Sequence, residues 1–152
     1  MTRIDFYLLP AGAPEAALNV ACRLCDKAVH AGQRVYAFSP DAAALAELDA
    51  QLWTFRQGSF IGHERYTEGV ASDVLPAVYL GTSAPPASHA QVMINLGAET
   101  PHFFSQFERV LEIVPGDAPG RAAARKRFRF YKDRGYALAT HELGNQSTDH
   151  DD

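Results

Sequence analysis

Seven of the fourteen Lys and Arg residues of this sequence lie between Arg121 and Arg134, and Asp133 is the single acid among them, so that stretch carries +6. The remainder, with seven basic and seventeen acidic residues, carries −10. Guanidinium groups hold carboxylates and phosphates through paired N–H donors, so the question is how the cations are spaced. On a helix with Arg121 at the origin, Arg125, Arg129 and Lys132 fall within roughly 100° of arc, and Phe128 joins them. Ala124 and Tyr131 fall beside that stripe and form the predicted inward face. The result is a cationic ridge against an aromatic and aliphatic seam, to which Val114 contributes from the preceding strand. Like charges at i and i+4 cost a helix a few tenths of a kcal/mol each, a cost that a docking anion removes. A solvated basic face near a helix C-terminus explains the same charges. Lys126, Arg127 and Arg134 fall off the stripe and are expected to matter less. A weakly acidic chain with one concentrated basic element suits a localised anion better than a nucleic-acid backbone, which calls for a broad positive face. An acidic peptide ending in an aromatic residue fits both the ridge and the seam.

Other chemistries find less support. Cys22 and Cys25 have C-x-x-C spacing but lie about two turns inside a predicted helix, away from the N-terminal dipole that would activate a thiol, and read as core. The histidines, at 30, 63, 89, 102, 141 and 150, form no H-x-x-x-H pair, so neither a metal nor another cofactor is expected. Leu9 to Pro14 lacks the G-x-G-x-x-G fingerprint, and neither a P-loop nor a G-x-S-x-G elbow occurs. Asp5, Asp41, Asp73 and Glu99 read as strand-end or loop carboxylates. The alternative function is a small α/β enzyme or nucleotide binder using the Gly-rich loop 54–76.

Strands are predicted at Arg3–Leu9, Arg34–Phe38, Ala77–Leu80, Val92–Leu96 and Val110–Val114. Helices are predicted at Glu15–His30, Ala42–Trp53, Phe103–Phe107 and from Asp117 to about Arg134 before Gly135. This alternation implies an α/β, Rossmann-like three-layer domain with a mostly parallel sheet flanked by helices. With 47% hydrophobic residues the chain fits one domain over 1–143. Residues 144–152, polar and acidic, read as a flexible tail. There is no leader-like start and no apolar run of about 20 residues, so a soluble, cytoplasmic protein is expected.

Several segments together resemble the chi subunit of bacterial DNA polymerase III holoenzyme. They are Asp5-Phe6-Tyr7-Leu8-Leu9, Leu52-Trp53, Ser59-Phe60-Ile61-Gly62-His63, Phe107 through Val114-Pro115, and Arg125-x-Arg127-Phe128-x-x-Tyr131 running to Gly135. The resemblance implies a Rossmann-like adaptor without catalysis of its own. Such an adaptor links the clamp loader, through a psi subunit, to the acidic, Phe-terminated tail of single-stranded-DNA-binding protein. By position it assigns tail binding to Arg121, Arg125 and Arg129, with Val114 and Phe128 as apolar walls, and Lys132 joins them from the helical stripe alone; Phe128 stands where the family usually has Tyr. Trp53 and Phe60 match the surface facing psi, or in some bacteria a helicase-like protein. His63 receives no role.

Overall fold

The computed structural model describes residues 1–12, 16–55, 60–70 and 73–144. The strands are β1 (Arg3–Leu8), β2 (Val35–Phe38), β3 (His63–Arg65), β4 (Val78–Gly81), β5 (Val92–Asn95), β6 (Arg109–Val114) and β7 (Ala137–Glu142), and the helices are α1 (Ala16–His30), α2 (Ala42–Thr54) and α3 (Ala118–Asp133). They form one sheet in the order β3-β4-β2-β5-β6-β1-β7. Every neighbouring pair runs parallel. Strands β2, β4 and β5 are buried at every position, the pattern of a parallel sheet covered on both faces.

The strand period of two divides the core into two layers. Val35, Ala37, Leu111 and Ile113 face α1 and α2, where Cys22, Cys25, Leu45, Leu48 and Leu52 meet them. Tyr36, Phe38, Phe6 and Val114 face the opposite side, covered by Ala124 and Tyr131 of α3 and by Phe103, Phe104 and Phe107. The helix expected over Phe103–Phe107 is a single 3-10 turn, Phe104–Gln106. Two strands were missing from the sequence reading: β3, inside the segment read as loop, and β7, following α3. The acidic tail from residue 145 lies outside the described residues.

Helix α3 is fixed at both ends and in the middle. Asp117 caps it, its carboxylate accepting from the Gly120 amide at 2.7 Å, with Pro119 in the first turn. Gly135 takes φ of +82°, and the Tyr136 amide returns to the Tyr131 carbonyl at 3.2 Å, so the chain leaves the helix and enters β7. In the middle, Glu112 projects from β6 under the helix, with no exposed surface. Its carboxylate accepts from Arg127 Nε at 2.9 Å, from the Tyr131 hydroxyl at 2.6 Å and from Asn95 Nδ2 at 3.0 Å. Burial pushes the Glu112 carboxyl upward, while the Arg127 charge and the three donors push back. Arg127 also donates through Nη1 to the Ala98 carbonyl at 2.7 Å and is 3% exposed. Arg127, off the cationic stripe, thus anchors the helix to the sheet.

A second polar clasp joins three strands. Asp5 of β1 accepts from Arg109 of β6 and from His141 of β7, each at 2.9 Å, and the Tyr7 ring stacks on His141 at 4.6 Å. Burial alone would raise the Asp5 carboxyl, but hydrogen bonds from His141 and Arg109, with the Arg109 and Arg3 charges, outweigh it and leave it below the usual carboxylate value.

Two predictions follow from these clasps. Arg127→Ala strands a buried carboxylate and should cost about 3–5 kcal/mol in urea unfolding, whereas Arg127→Met combined with Glu112→Leu, which removes both charges, should recover most of that loss. Because folding lowers the Asp5 pKa, its stabilisation is complete above the unfolded value near ~3.9 and disappears as pH falls through the lower folded value. Stability should therefore drop on acidification below about pH 4, and Asp5→Asn should flatten that part of the profile while lowering stability at pH 7.

Candidate functional site

The outer face of α3 and the ends of β1, β6 and β7 enclose a pocket of about 190 Å³. Phe6 and Leu8 form its floor from β1, Val114 comes from β6 and Thr140 from β7. Arg121, Ala124, Arg125 and Phe128 line the α3 side. The spacing that puts residues i, i+4 and i+7 on one side of a helix thus becomes a wall of two guanidiniums and a ring. Phe128 packs on Phe6 with centroids 5.4 Å apart, which sets its position. A cavity of about 150 Å³ is enough to hold benzene, so the pocket has the capacity for one aromatic side chain.

Arg121 is partly buried, and its Nη2 donates to the Leu9 carbonyl at 2.9 Å. Its Nε is buried without a hydrogen-bond partner. Arg125 is exposed at the rim. Among the described residues no carboxylate lines the pocket. Of the residues singled out in the sequence, Arg121, Arg125, Phe128 and Val114 are brought together here. Arg129 and Lys132 continue along α3 and are exposed, but do not line the pocket. Phe6, Leu8, Ala124 and Thr140 were not assigned to the site beforehand. Phe6 and Leu8 could have been found from the two-residue period of β1, but Thr140 depends on β7.

Trp53 and Phe60 form a second surface, 60% and 72% exposed with centroids 5.6 Å apart. His63 lies beneath them, 4.8 Å from the Trp53 ring and nearly buried. Its Nδ1 bonds to the Ile61 carbonyl at 2.7 Å, and its Nε2 lies 2.8 Å from an Asp49 carboxylate oxygen. His63 therefore supports the exposed pair. Val70, Val74 and Leu75, on the same α2-to-β4 connection, are also exposed. This surface lies at the β3 edge on the α1–α2 side; the pocket lies at the β7 edge on the α3 side. Five strand spacings, about 24 Å, separate β3 from β1.

The positions where a doubly wound sheet usually holds a ligand are differently equipped. At the β1/β6 switch point the loops press together so tightly that a Cβ on Gly116 would collide with the Pro10 carbonyl. Among the described residues the charged side chain in the adjoining cleft is Asp117, whose carboxylate already occupies the amide at the α3 N-terminus where a phosphate would bind. At the β2/β5 switch, a Cβ on Gly97 would lie 2.9 Å from Pro40 Cδ. Cys22 and Cys25 are free and buried; burial pushes the Cys22 thiol up to about 11 and Cys25 higher still. Among the described residues no three His, Cys, Asp or Glu side chains converge as a metal site requires, and no helix is long and apolar enough to cross a membrane. Residues 56–59 and 71–72 of the loop 54–76, including Ser59, lie outside the described residues.

Residues 1–139 match the sequence model of the family described as "DNA polymerase III chi subunit, HolC". A Pseudomonas aeruginosa protein named DNA polymerase III subunit chi is 45% identical over 143 residues, covering 94% of this chain and 98% of that protein. Proteins of the same name from Haemophilus influenzae and Escherichia coli are each 25% identical, over 92% of this chain and 96% and 97% of their own lengths.

Trp53 is the sole tryptophan, so its fluorescence reports on the second surface alone. His63→Ala should change the yield and wavelength of that emission without unfolding the protein; unchanged emission would mean that the imidazole does not hold the indole.

Proposed function

This chain belongs to the DNA polymerase III chi subunit family, and on that footing we propose that it is a non-catalytic replication adaptor whose α3 pocket receives the acidic C-terminal tail of single-stranded-DNA-binding protein. The observation that carries the proposal is the convergence of Arg121, Arg125, Phe128 and Val114 on one ring-sized cavity. The ring of a terminal phenylalanine enters between Phe6, Val114 and Phe128, and burial of its apolar surface contributes about 2 kcal/mol. The carboxylates beside it pair with Arg121 and Arg125, and Arg121 is held ready by its bond to the Leu9 carbonyl. Arg129 and Lys132 extend the positive potential to acids farther along the peptide. They act from exposed positions, where each pair contributes less and is screened by salt.

The Trp53–Phe60 surface docks a psi-like subunit of the clamp loader, or a helicase-like protein, in the cytoplasm. Exposed aromatic anchors braced from below are the kind of residue that dominates protein interfaces. Placement on opposite sheet edges and faces lets both partners bind at once, the geometry a linking subunit needs.

An acidic peptide ending in Pro-Phe should bind at micromolar strength in a calorimetric or fluorescence titration. Arg125→Ala should weaken it about tenfold or more, with a shallower salt dependence, and Arg129→Ala should weaken it less. Affinity unaffected by Arg125→Ala would refute the site.

A further inference from the structure

Helix α3 borders a second cleft, between its other flank and the loop that follows β5. The volume of this cleft is about 510 Å³, against about 190 Å³ for the pocket beside β1. Ala122, Lys126 and Phe130, at four-residue spacing, line it from the helix together with Ala123, and Ala98 and Glu99 line it from the loop. Arg127 forms part of the same wall and is 3% exposed. Its Nε donates to Glu112 and its Nη1 to the Ala98 carbonyl, whereas Nη2 is buried with no hydrogen-bond partner among the described residues. A buried guanidinium N–H without an acceptor is costly, and folded proteins supply one from the chain, from water or from a ligand. The bond to Ala98 holds the Nη end of Arg127 against the loop that borders the cleft, so the missing acceptor comes from that side.

We propose that this cleft is a second carboxylate subsite, and that an acidic peptide bound at Arg121 and Arg125 crosses the α3 ridge to place an upstream aspartate or glutamate in it. This rests on the reading of the first pocket as a receptor for acidic peptides. Arg125 and Lys126 are consecutive and therefore about 100° apart around the helix. Both are exposed, and each lines one of the two clefts, so they make a cationic path from flank to flank. A helix with its side chains is about 10–12 Å across, so half its circumference is roughly 17 Å, a span that about five extended residues cover. The upstream acid therefore stands about five residues before the terminal ring. Its carboxylate supplies the acceptor that Arg127 Nη2 lacks and pairs with Lys126. Glu112 already balances the Arg127 charge, so the attraction is that of one lysine, opposed by the exposed Glu99 on the loop. That balance suits a single carboxylate better than a phosphate monoester, which carries up to two charges. The methyl side chains of Ala98, Ala122 and Ala123 leave room for the peptide backbone.

The test uses two fluorescent peptides ending in Pro-Phe, one of four residues, too short to cross the ridge, and one of nine with aspartates upstream. Each is titrated into the full chain and into its Ala123→Met variant, which narrows the cleft with a helix-favouring side chain and changes no charge. The longer peptide should bind the unaltered chain about three- to tenfold more tightly than the shorter one. Ala123→Met should cancel most of that gain and leave the affinity of the shorter peptide as it was. In NMR of the unaltered chain, the Arg127 guanidinium resonances should shift with the longer peptide and not with the shorter. Asparagine in place of the aspartate five residues before the terminal Phe should abolish that shift. A gain that survives Ala123→Met would overturn the proposal, since the acids would then act through the exposed cations alone. Arg127 resonances that do not move would overturn it too. Equal affinities for the two peptides would remove the second subsite and leave the first pocket standing. If neither peptide binds, the receptor reading fails and the subsite falls with it.

Discussion

The contact between Arg127 and Glu112 fixes the geometry on which the rest of the site depends. Helix α3 carries seven cations with its flanks, and five of them, Arg125, Lys126, Arg129, Lys132 and Arg134, are exposed and repel one another. One is turned inward to a carboxylate that has no exposed surface. A buried ion pair adds little net stability over apolar residues of the same volume, because desolvation offsets the attraction. It does penalise any register in which the two charges miss each other. Tyr131 and Asn95 complete the Glu112 carboxylate, so the helix can rotate or slide only by leaving a charge unsatisfied. Locked in this way, α3 directs Arg121, Arg125 and Phe128 toward the ends of β1 and β6.

The pocket combines the properties of two different surfaces. Its floor is core, continuous with the aromatic layer of Phe6, Tyr131 and Phe104. Its rim is solvated and cationic. An apolar group entering it meets a rigid, preformed wall, and an anion arriving beside it meets guanidiniums with spare donors, so little ordering remains to be done on binding. The Trp53–Phe60 surface is built by the same rule on the other face of the sheet: exposed rings rest on a buried polar support, here His63 with Asp49. In each case a buried hydrogen-bonded group sets the orientation of the exposed side chains.

The chemistry of the site was more legible in the sequence than the connections that complete it. The stripe of Arg121, Arg125, Phe128, Arg129 and Lys132 follows from helical period alone, and the Asp117 cap and Gly135 stop mark its ends. The resemblance to the chi family favoured reading that stripe as a receptor rather than as a solvated face. The anchoring role of Arg127 was not legible because angular position does not show what a residue meets; Glu112, a lone acid in an apolar strand, was the available clue. Strand β7 was missed because Tyr136 to Glu142 is half-exposed edge sequence with no continuous apolar run. Without β7 there is no Thr140 wall. Strand β3 has three residues and no pattern to read. His63 had no derivable role because its partners, Asp49 and Trp53, approach it only after α2 packs on the sheet.

The central claim is that the ring-sized cavity between Phe6, Val114 and Phe128 receives the end of an acidic peptide. The most direct measurement replaces the terminal phenylalanine of such a peptide with benzoylphenylalanine, irradiates the complex and maps the covalent adduct by mass spectrometry. Adducts on Phe6, Leu8, Val114 or Phe128 are predicted. Adducts confined to residues 53–75, or spread without preference along α3, would contradict the account.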